Sequence, residues 1–401
     1  MPNSVSSTSH FPPVDKINPL NWIQKNLFST WYNSCLTIVS LLFLYWIGSI
    51  LISWTFTQAQ WAVIESNLSL FFVGRYPTNL LWRAWLSLAI IVSLSGLSWG
   101  ILARNLRLFN RVNLTLLTSL GVIFALLAIP ISIQSSLLLL GMLILLVFNA
   151  WVGQKLGQRI QGLGNWLGLC WLITFFVLLW LLQGGLFLET VKLDNFSGLI
   201  LTLLTAIVSI VLSFPFGILL ALGRQSSLNV IRWLSIAYIE VIRGLPLIGI
   251  LFMAQIMLPL ILPVGSRPDR VIRAIAGFTL FSAAYLAENV RGGLQSVPKG
   301  QIEAAKALGL NPIFVLIFIV LPQALKAVIP SIVGQFISLF KDTSLLAIVG
   351  LVDLLGISQS ILANPKFIGR YGEVYLFIAV IYWIFCYSMS WASRKLEQKL
   401  N

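Results

Sequence analysis

The chain has 401 residues, of which 58% are hydrophobic and only 9% are charged. In an ordinary soluble domain about a quarter of the residues are charged. The composition of this chain therefore excludes an ordinary soluble domain. The 26 Lys and Arg residues outnumber the 12 Asp and Glu residues and give a net charge of +14. They are scattered between apolar segments and form no basic run, which argues against nucleic acid as a partner. The composition instead predicts a chain surrounded by membrane lipid.

Residues 1–30 are predicted to form a cytoplasmic tail. They are rich in Ser, Pro and Asn, and they include the lone histidine, His10, which we expect to be solvated. The tail lacks the charged start, the short apolar stretch and the small-residue cleavage site of a signal peptide. This composition is typical of a retained and disordered terminus.

Apolar segments of about 20 residues then recur along the chain, each long enough to cross about 30 Å of hydrocarbon as a helix. Runs such as Leu137 to Val147 do not alternate in polarity, so strands of a membrane barrel are excluded. Residues 31–190 are predicted to form an accessory bundle of five spans: Asn33 to Trp54, Trp82 to Ala103, Leu114 to Ile131, Ser136 to Val152 and Trp166 to Gly185. Residues 191–401 contain five more: Gly198 to Leu222, Ile231 to Leu262, Val271 to Val290, Pro312 to Phe340 and Val374 to Ser393. The predicted fold is an all-α integral membrane protein of about ten transmembrane helices.

Positive charge predicts the orientation, because cytoplasmic loops are enriched in Lys and Arg. An even number of spans puts both termini on the same side of the membrane. If that side is cytoplasmic, the inner segments hold more Lys and Arg than the outer ones. We therefore predict that both termini are cytoplasmic.

The predicted loop near residues 291–312 has a distinctive spacing. Glu303, Ala304 and Ala305 are followed after three residues by Gly309, and then after nine more by an Ile-x-Leu-Pro sequence that begins at Ile319. The pattern predicts a short helix that Ser296 caps, Pro298 opens and Gly309 ends in a left-handed conformation. Glu303 is expected to meet Lys299 and Lys306. The small apolar surface presented to a partner is predicted to consist of Ala304, Ala305, Ala307 and Leu308. Asn311 and Pro312 are expected to start the next helix.

With this spacing the chain resembles the permeases of binding-protein-dependent ABC importers, whose cytoplasmic EAA loop carries the same pattern. The resemblance implies a type I permease core over residues 191–401. It also implies that Glu303, Ala304, Ala305 and Gly309 couple the permease to an ATPase subunit.

Three further segments are similar to the polar amino acid branch of these permeases: Tyr238 to Leu247, Ser282 to Glu288 and Lys341 to Leu345. The resemblance covers Phe196 to Leu396, about half of the chain. The long N-terminal half is similar in layout to the longer subunits of general L-amino acid transporters. The implied function is a permease subunit of an ATP-driven amino acid uptake system in the bacterial inner membrane. The implied partners are ATPase subunits, a second homologous permease and a periplasmic amino-acid-binding protein.

Charged residues within the predicted spans are candidates for the substrate pathway, because an ionisable group in the bilayer usually faces protein or water. The candidates are Glu240, Arg243, Glu288, Lys341 and Asp342. An amino acid zwitterion needs both an anionic and a cationic partner, and this group supplies both. Each pair also has a purely structural explanation that stays open. Glu240 and Arg243 would neutralise each other on one helix face, and Lys341 and Asp342 would form a pair at a helix end.

Several residues predict breaks in these helices. Pro removes a backbone donor, and Gly permits bending or close approach of helices. The residues are Pro215, Pro246, Pro330, Gly217, Gly244, Gly249 and Gly334. They are candidate hinges for alternating access, with static kinks as the alternative.

The chain contains no G-x-x-x-x-G-K-[ST] phosphate loop, so ATP must be hydrolysed by another subunit. We expect no cofactor and no metal bound by this chain, because Cys35, Cys170 and Cys386 lie in apolar segments at no ligand-like spacing. No catalytic constellation is evident, so the chain is not expected to be an enzyme. The main alternative is a secondary amino acid transporter, which would show inverted repeats.

Overall fold

The computed structural model describes residues 19–104, 133–160, 162–263 and 267–400. The predicted span Leu114 to Ile131 and residues 1–18 of the predicted tail lie outside the described residues. Helices make up nearly all of the described part, which holds only two isolated β-bridges and no strand. The chain forms two compact units, Met1–Gln60 and Trp61–Asn401.

The first unit holds α1 (Pro19–Leu27) and the long apolar helix α2 (Trp31–Thr57). Thr30 caps α2, since its side chain accepts a hydrogen bond from the Asn33 backbone N–H at 3.4 Å. No residue of α2 is buried within the chain. Its apolar surface is therefore left for lipid or for another protein.

The second unit begins with α3 (Ala62–Val73), α4 (Leu81–Leu102), α5 (Ile133–Arg159) and α6 (Leu163–Gln183). Helices α4 and α5 approach closely along a row of glycines. A Cβ atom on Gly100 would lie 2.1 Å from the Ala150 carbonyl oxygen, and one on Gly153 would lie 2.4 Å from the Leu97 carbonyl oxygen. Small residues thus let these two backbones touch, as is common between membrane helices.

The core of the second unit follows with eight helices. They are α7 (Gly198–Arg224), α8 (Asn229–Gly244), α9 (Leu247–Ile261), α10 (Arg270–Ser296), α11 (Lys299–Ala307), α12 (Pro312–Ala347), α13 (Leu354–Leu362) and α14 (Tyr371–Leu400). Helices α7 and α10 run in the same direction, since Ser209 contacts Ile275 near one end and Gly217 packs on Leu286 further along. Gly293 of α10 packs against the Ala324 carbonyl of α12, where a Cβ atom would lie 2.5 Å from that oxygen.

The predicted span from Ile231 to Leu262 is not one continuous helix, because α8 and α9 meet at an angle of 105°. The break falls at Leu245 and Pro246, where Pro246 has no backbone N–H to continue the helix and adopts an extended conformation. Eight helices of the described ranges are long and apolar enough to cross a membrane, or nine if the bent pair counts as one span. The count of ten is therefore not confirmed.

The other predicted breaks differ in kind. Pro215 lies inside α7 and Pro330 lies inside α12, which also contains a π-helical segment, Val315–Val320. Gly217 is a point of close packing, whereas a Cβ atom on Gly244 or Gly334 would meet nothing within 4 Å. Close helix approach thus explains the first glycine but not the other two.

Helix α3 joins the accessory helices to the core, and no sequence pattern predicted it. Val63 and Phe71 are buried in a cluster with Leu199, Leu354 and Val374 of the core. A 12-residue helix is too short to cross a bilayer, so it escapes a search for spans. The accessory helices of the second unit are consequently packed on the core and not merely tethered to it.

Candidate functional site

The short helix α11 connects α10 to α12 and ends as the sequence predicts. Gly309 has a φ of +76°, its N–H donates to the Lys306 carbonyl at 2.9 Å, and the Leu310 N–H donates to the Ala305 carbonyl at 3.2 Å. These two bonds form a Schellman motif, in which glycine is favoured because a Cβ atom is strained at positive φ. The prediction that Gly309 ends α11 in a left-handed conformation is therefore confirmed.

The start of α11 differs from the prediction. Pro298 occupies the N-cap position, and the Ser296 side chain donates to the Gly293 carbonyl at 2.8 Å. Ser296 thus closes the last turn of α10 instead of capping α11. On the far side of the loop, the Asn311 side chain accepts from the Ile313 N–H at 3.0 Å and Pro312 follows in the first turn, which confirms the predicted start of α12.

Two faces of α11 have different surroundings. The prediction that Ala305 belongs to the apolar surface offered to a partner is wrong, because Ala305 is buried in a cluster that includes Leu294 and Val315. Glu303, Ala304, Ala307 and Leu308 are exposed, and Leu308 has 82% of its surface exposed. Within the described ranges Glu303 forms no ion pair, so the expected bridges to Lys299 and Lys306 are absent. The helix is held to the permease on one side and offers a small apolar face on the other.

A network of charged side chains lies near the same end of the core. Arg224 Nη1 is 3.0 Å from Glu240 Oε1 and 3.3 Å from Glu288 Oε2. Arg243 Nη1 is 3.8 Å from Glu288 Oε2, and Arg291 contacts Glu288 Oε1. Three of the five predicted pathway residues are thus brought together: Glu240 and Arg243 of α8 and Glu288 of α10, with Arg224 of α7 paired to both glutamates.

The sequence interpretation missed two members of this network. Arg224 and Arg291 were assigned to cytoplasmic loops as topology signals only. The i,i+3 spacing of Glu288 and Arg291 on one helix was the available signal for the second. Among the described residues, Glu240 and Arg243 form no ion pair with each other, because Arg243 stacks over the Tyr285 ring at 5.5 Å and faces Glu288.

Lys341 and Asp342 lie in a different part of the core. They end the regular part of α12, beside Phe340, which is buried in a cluster with Leu201 from the first turns of α7. Arg224 is in the last turn of the same 27-residue helix, which is about 40 Å long. The five predicted residues therefore form two groups at opposite ends of the core. Lys341 is exposed and Asp342 is partly buried.

Asp353 is a buried acidic residue that the sequence interpretation missed. It is fully buried at the start of α13, where its carboxylate accepts from the Gly356 N–H at 2.9 Å and from the Leu355 N–H at 3.3 Å. Burial raises the pKa of Asp353 to about 7, although the two backbone hydrogen bonds act in the opposite direction. Nothing in the sequence marks Asp353 as buried, because it stands in a short segment between helices.

These features define a class of protein. The described part is a bundle of membrane-spanning helices with an exposed short helix between two of them, and the sequence contains no phosphate loop to bind ATP. Such an arrangement is that of a polytopic membrane protein.

Comparison with known proteins gives the family. Residues 213–401 match the family described as "Binding-protein-dependent transport system inner membrane component". The chain is 38% identical to the inner membrane amino-acid ABC transporter permease protein YhdY of Escherichia coli, over 95% of this chain and 92% of that protein. It is also 38% identical to the glutamate/glutamine/aspartate/asparagine transport system permease protein BztC of Rhodobacter capsulatus, over 97% and 95% respectively.

A shorter relative matches over half of the chain. The probable glutamine ABC transporter permease protein GlnP of Bacillus subtilis is 40% identical over 50% of this chain and 90% of its own length. The chain belongs to the family of ABC importer permeases of binding-protein-dependent systems. It is a non-catalytic membrane subunit, and the alternative of a secondary transporter is set aside.

Proposed function

We propose that this chain is one of two permease subunits of an ATP-driven importer of amino acids. The relatives that span nearly its whole length support the substrate class, since one is named for amino acids and the other for glutamate, glutamine, aspartate and asparagine. The observation that carries the mechanism is the exposed face of α11, where Ala304, Ala307 and Leu308 are open to contact by another protein.

In this proposal α11 docks on an ATPase subunit and transmits its closure to the membrane helices. Glu303 and Ala304 lie on the exposed side and would contact the ATPase. Ala305 holds α11 to the permease, because it is buried with Leu294 and Val315. Gly309 fixes the end of the helix and hence the angle at which the apolar face is presented.

The proposal includes three protein partners and an orientation. A second, homologous permease completes the pathway, since the exposed apolar surfaces of α8, including Trp233 and Val241, need a cover that is either lipid or protein. The α11 side is cytoplasmic, as are both termini, so the ATPase binds there and ATP is bound by that subunit. A periplasmic amino-acid-binding protein delivers substrate at the opposite end.

The predicted pathway residues have separate roles in this scheme. Lys341 and Asp342, which lie at the end of the core opposite to α11, are proposed to meet the zwitterion as it enters. Glu240, Arg243 and Glu288 lie at the end where substrate leaves. Their charges are already paired with one another and with Arg224 and Arg291, so they are less available to hold an amino acid tightly.

Reconstitution tests the proposal directly. The chain is co-expressed with its partner permease and an affinity-tagged ATPase, and the purified complex is placed in liposomes with ATP at the ATPase side. We expect uptake of a radiolabelled amino acid that requires the loaded binding protein. Leu308→Asp should abolish co-purification with the ATPase, because it places a charge in the docking face. Gln225→Asp, at an exposed site outside α11, is the control. Normal co-purification of Leu308→Asp would contradict the docking role.

A further inference from the structure

We propose that Glu288 is a positioning residue that links the movement of α11 to α7 and α8. This inference rests on the proposed function, because it assumes that α11 receives the motion of an ATPase. What it adds is a defined mechanical connection from the docking helix to two other helices of the core. The connection is an ion-pair latch formed by Glu288, Arg224, Arg243, Arg291 and Glu240.

Glu288 is placed to move with α11. It lies on α10 about two turns before the end of that helix at Ser296, and α11 begins at Lys299. The intervening turns of α10 are rigid, since Val290 and Leu294 are buried in the cluster that also contains Ala305 of α11. A displacement of α11 is therefore carried to Glu288 and not absorbed by a flexible loop.

The two oxygens of the Glu288 carboxylate have different tasks. Oε1 is held by Arg291 of the same helix, which fixes the orientation of the carboxylate. Oε2 consequently points away from α10, where it meets Arg224 of α7 at 3.3 Å and Arg243 of α8 at 3.8 Å. One carboxylate thus connects three helices, whereas Glu240 forms a single ion pair among the described residues, with Arg224.

The surroundings of these pairs suit a connection that forms and breaks. The side chains of Arg224, Arg243 and Glu288 are between 22% and 35% exposed, so the pairs are neither fully solvated nor sealed from water. Fully exposed pairs contribute little, and deeply buried charges are expensive to separate. Removing Glu288 leaves three arginines with only Glu240 to offset them, so α7, α8 and α10 are pushed apart instead of held together.

The first test compares two charge-removing substitutions of the same kind. Glu288→Gln removes the central carboxylate, and the control Glu65→Gln removes an exposed carboxylate of α3 that forms no ion pair among the described residues. In the reconstituted complex, ATP hydrolysis is measured with and without the loaded binding protein. We expect Glu288→Gln to reduce the ratio of stimulated to basal hydrolysis by at least about fivefold, the lower range of typical coupling between sites. Glu65→Gln should keep this ratio within about twofold. Equal ratios in both variants and the wild type would overturn the proposal.

The second test follows the movement itself and does not depend on removing a charge. Gln225→Cys and Gly292→Cys place spin labels at exposed positions next to Arg224 and Arg291, with Cys35, Cys170 and Cys386 replaced by alanine. We expect the distance between the labels to change when the ATPase is trapped with nucleotide, and to stop responding in the Glu288→Gln variant. If the distance between the labels in the otherwise wild-type protein is the same with and without trapped nucleotide, the latch is overturned. The latch is also overturned if the distance in the Glu288→Gln variant responds as it does without that substitution. Loss of ATPase co-purification from the wild type contradicts the proposed function instead.

Discussion

Asp353 is the residue whose titration the structure makes most directly testable. Its pKa is raised from 3.8 to about 7 by burial, so the folded protein retains a proton that the unfolded chain releases. The contribution to stability is fully present below about pH 4, and it is lost as the pH rises towards 7. We therefore expect the Tm of the purified protein to fall between pH 5 and pH 7.5.

The matched variant is Asp353→Asn, which keeps an oxygen to accept from the Gly356 N–H but cannot ionise. Its Tm should depend less on pH over the same interval than that of the wild type. One pKa unit corresponds to about 1.4 kcal/mol, so the difference between the two slopes should be measurable by a thermal shift assay. Parallel slopes would show that Asp353 does not titrate in this range.

Gly309→Asp tests the helix end at which α11 turns. Asp at a φ of +76° is strained by about 1 kcal/mol, and its charge would lie beside the docking face. No atom lies within 4 Å of the position of a Cβ there, so the variant should insert and fold. We expect normal abundance with uptake reduced at least about tenfold relative to wild type. Gly300→Asp, in equally open space at the start of α11, is the control for added charge. Near-normal uptake and ATPase stimulation by Gly309→Asp would refute the coupling role.

At this scale the sequence predicts residues that act through local geometry. Gly309, Asn311 and Pro312 could be assigned because a helix end needs particular backbone conformations within a few residues. The role of Ser296 could not be assigned from the sequence. A serine between two helices can cap the second helix or hydrogen-bond within the last turn of the first, and the local sequence is the same in both cases. The partners of Glu288 depend on the packing of three helices, which no short segment encodes.

The topology of the elements can be checked with two cysteines on a chain whose native cysteines are replaced. Ala307→Cys lies on the exposed face of α11, and Arg267→Cys lies in the exposed segment before α10. If α11 is cytoplasmic, an impermeant maleimide should label position 307 only in inverted vesicles and position 267 only in intact cells. Labelling of both positions from one side would show that the span count between them is wrong.

The helices that the sequence predicted are those long and apolar enough to cross a bilayer. Hydrophobic length identifies α2, α4 and α10 because each must satisfy its backbone within about 30 Å of hydrocarbon. Helices α3 and α13 are too short to be found by a search for hydrophobic spans. They are stabilised by burial against the core. For the bend between α8 and α9, the sequence signals were Gly244 and Pro246. These residues predict that a kink is possible, but they do not predict its angle of 105°.

The whole molecule combines a recognisable half with one that carries no motif. The permease core could be assigned from sequence, because its loop spacing is shared across the family. The attachment of the accessory helices could not, since it depends on contacts without a pattern. Gly74 packs against Ser197, where a Cβ atom would lie 2.1 Å from its Oγ, and Ser197 accepts from the Arg75 N–H at 2.7 Å. The division of residues 31–190 into an accessory bundle therefore stays a prediction.

Two deletions of different length test that division. Removing Met1–Gln60 takes away the first compact unit and leaves α3 in place, so assembly should be close to normal. Removing Met1 to Gly185 also strips α3 from the core and uncovers Leu199, Leu354 and Val374. Burial of Val63, Ile64 and Phe71 is worth about 1.5–3 kcal/mol each, so the longer deletion should sharply lower the abundance of the complex.

Substrate preference should nevertheless survive in whatever complex the longer deletion leaves. The accessory helices offer a zwitterion few charged partners, and Arg83, the one buried arginine in the part of them that the structure describes, already donates to the Glu189 carbonyl at 2.7 Å. We expect full-length and truncated complexes to rank competing amino acids in the same order when uptake is measured at matched membrane abundance. The shorter deletion serves as the control for loss of length. A changed rank order confined to the longer deletion would place selectivity determinants between Trp61 and Gly185, because only that segment distinguishes the two variants.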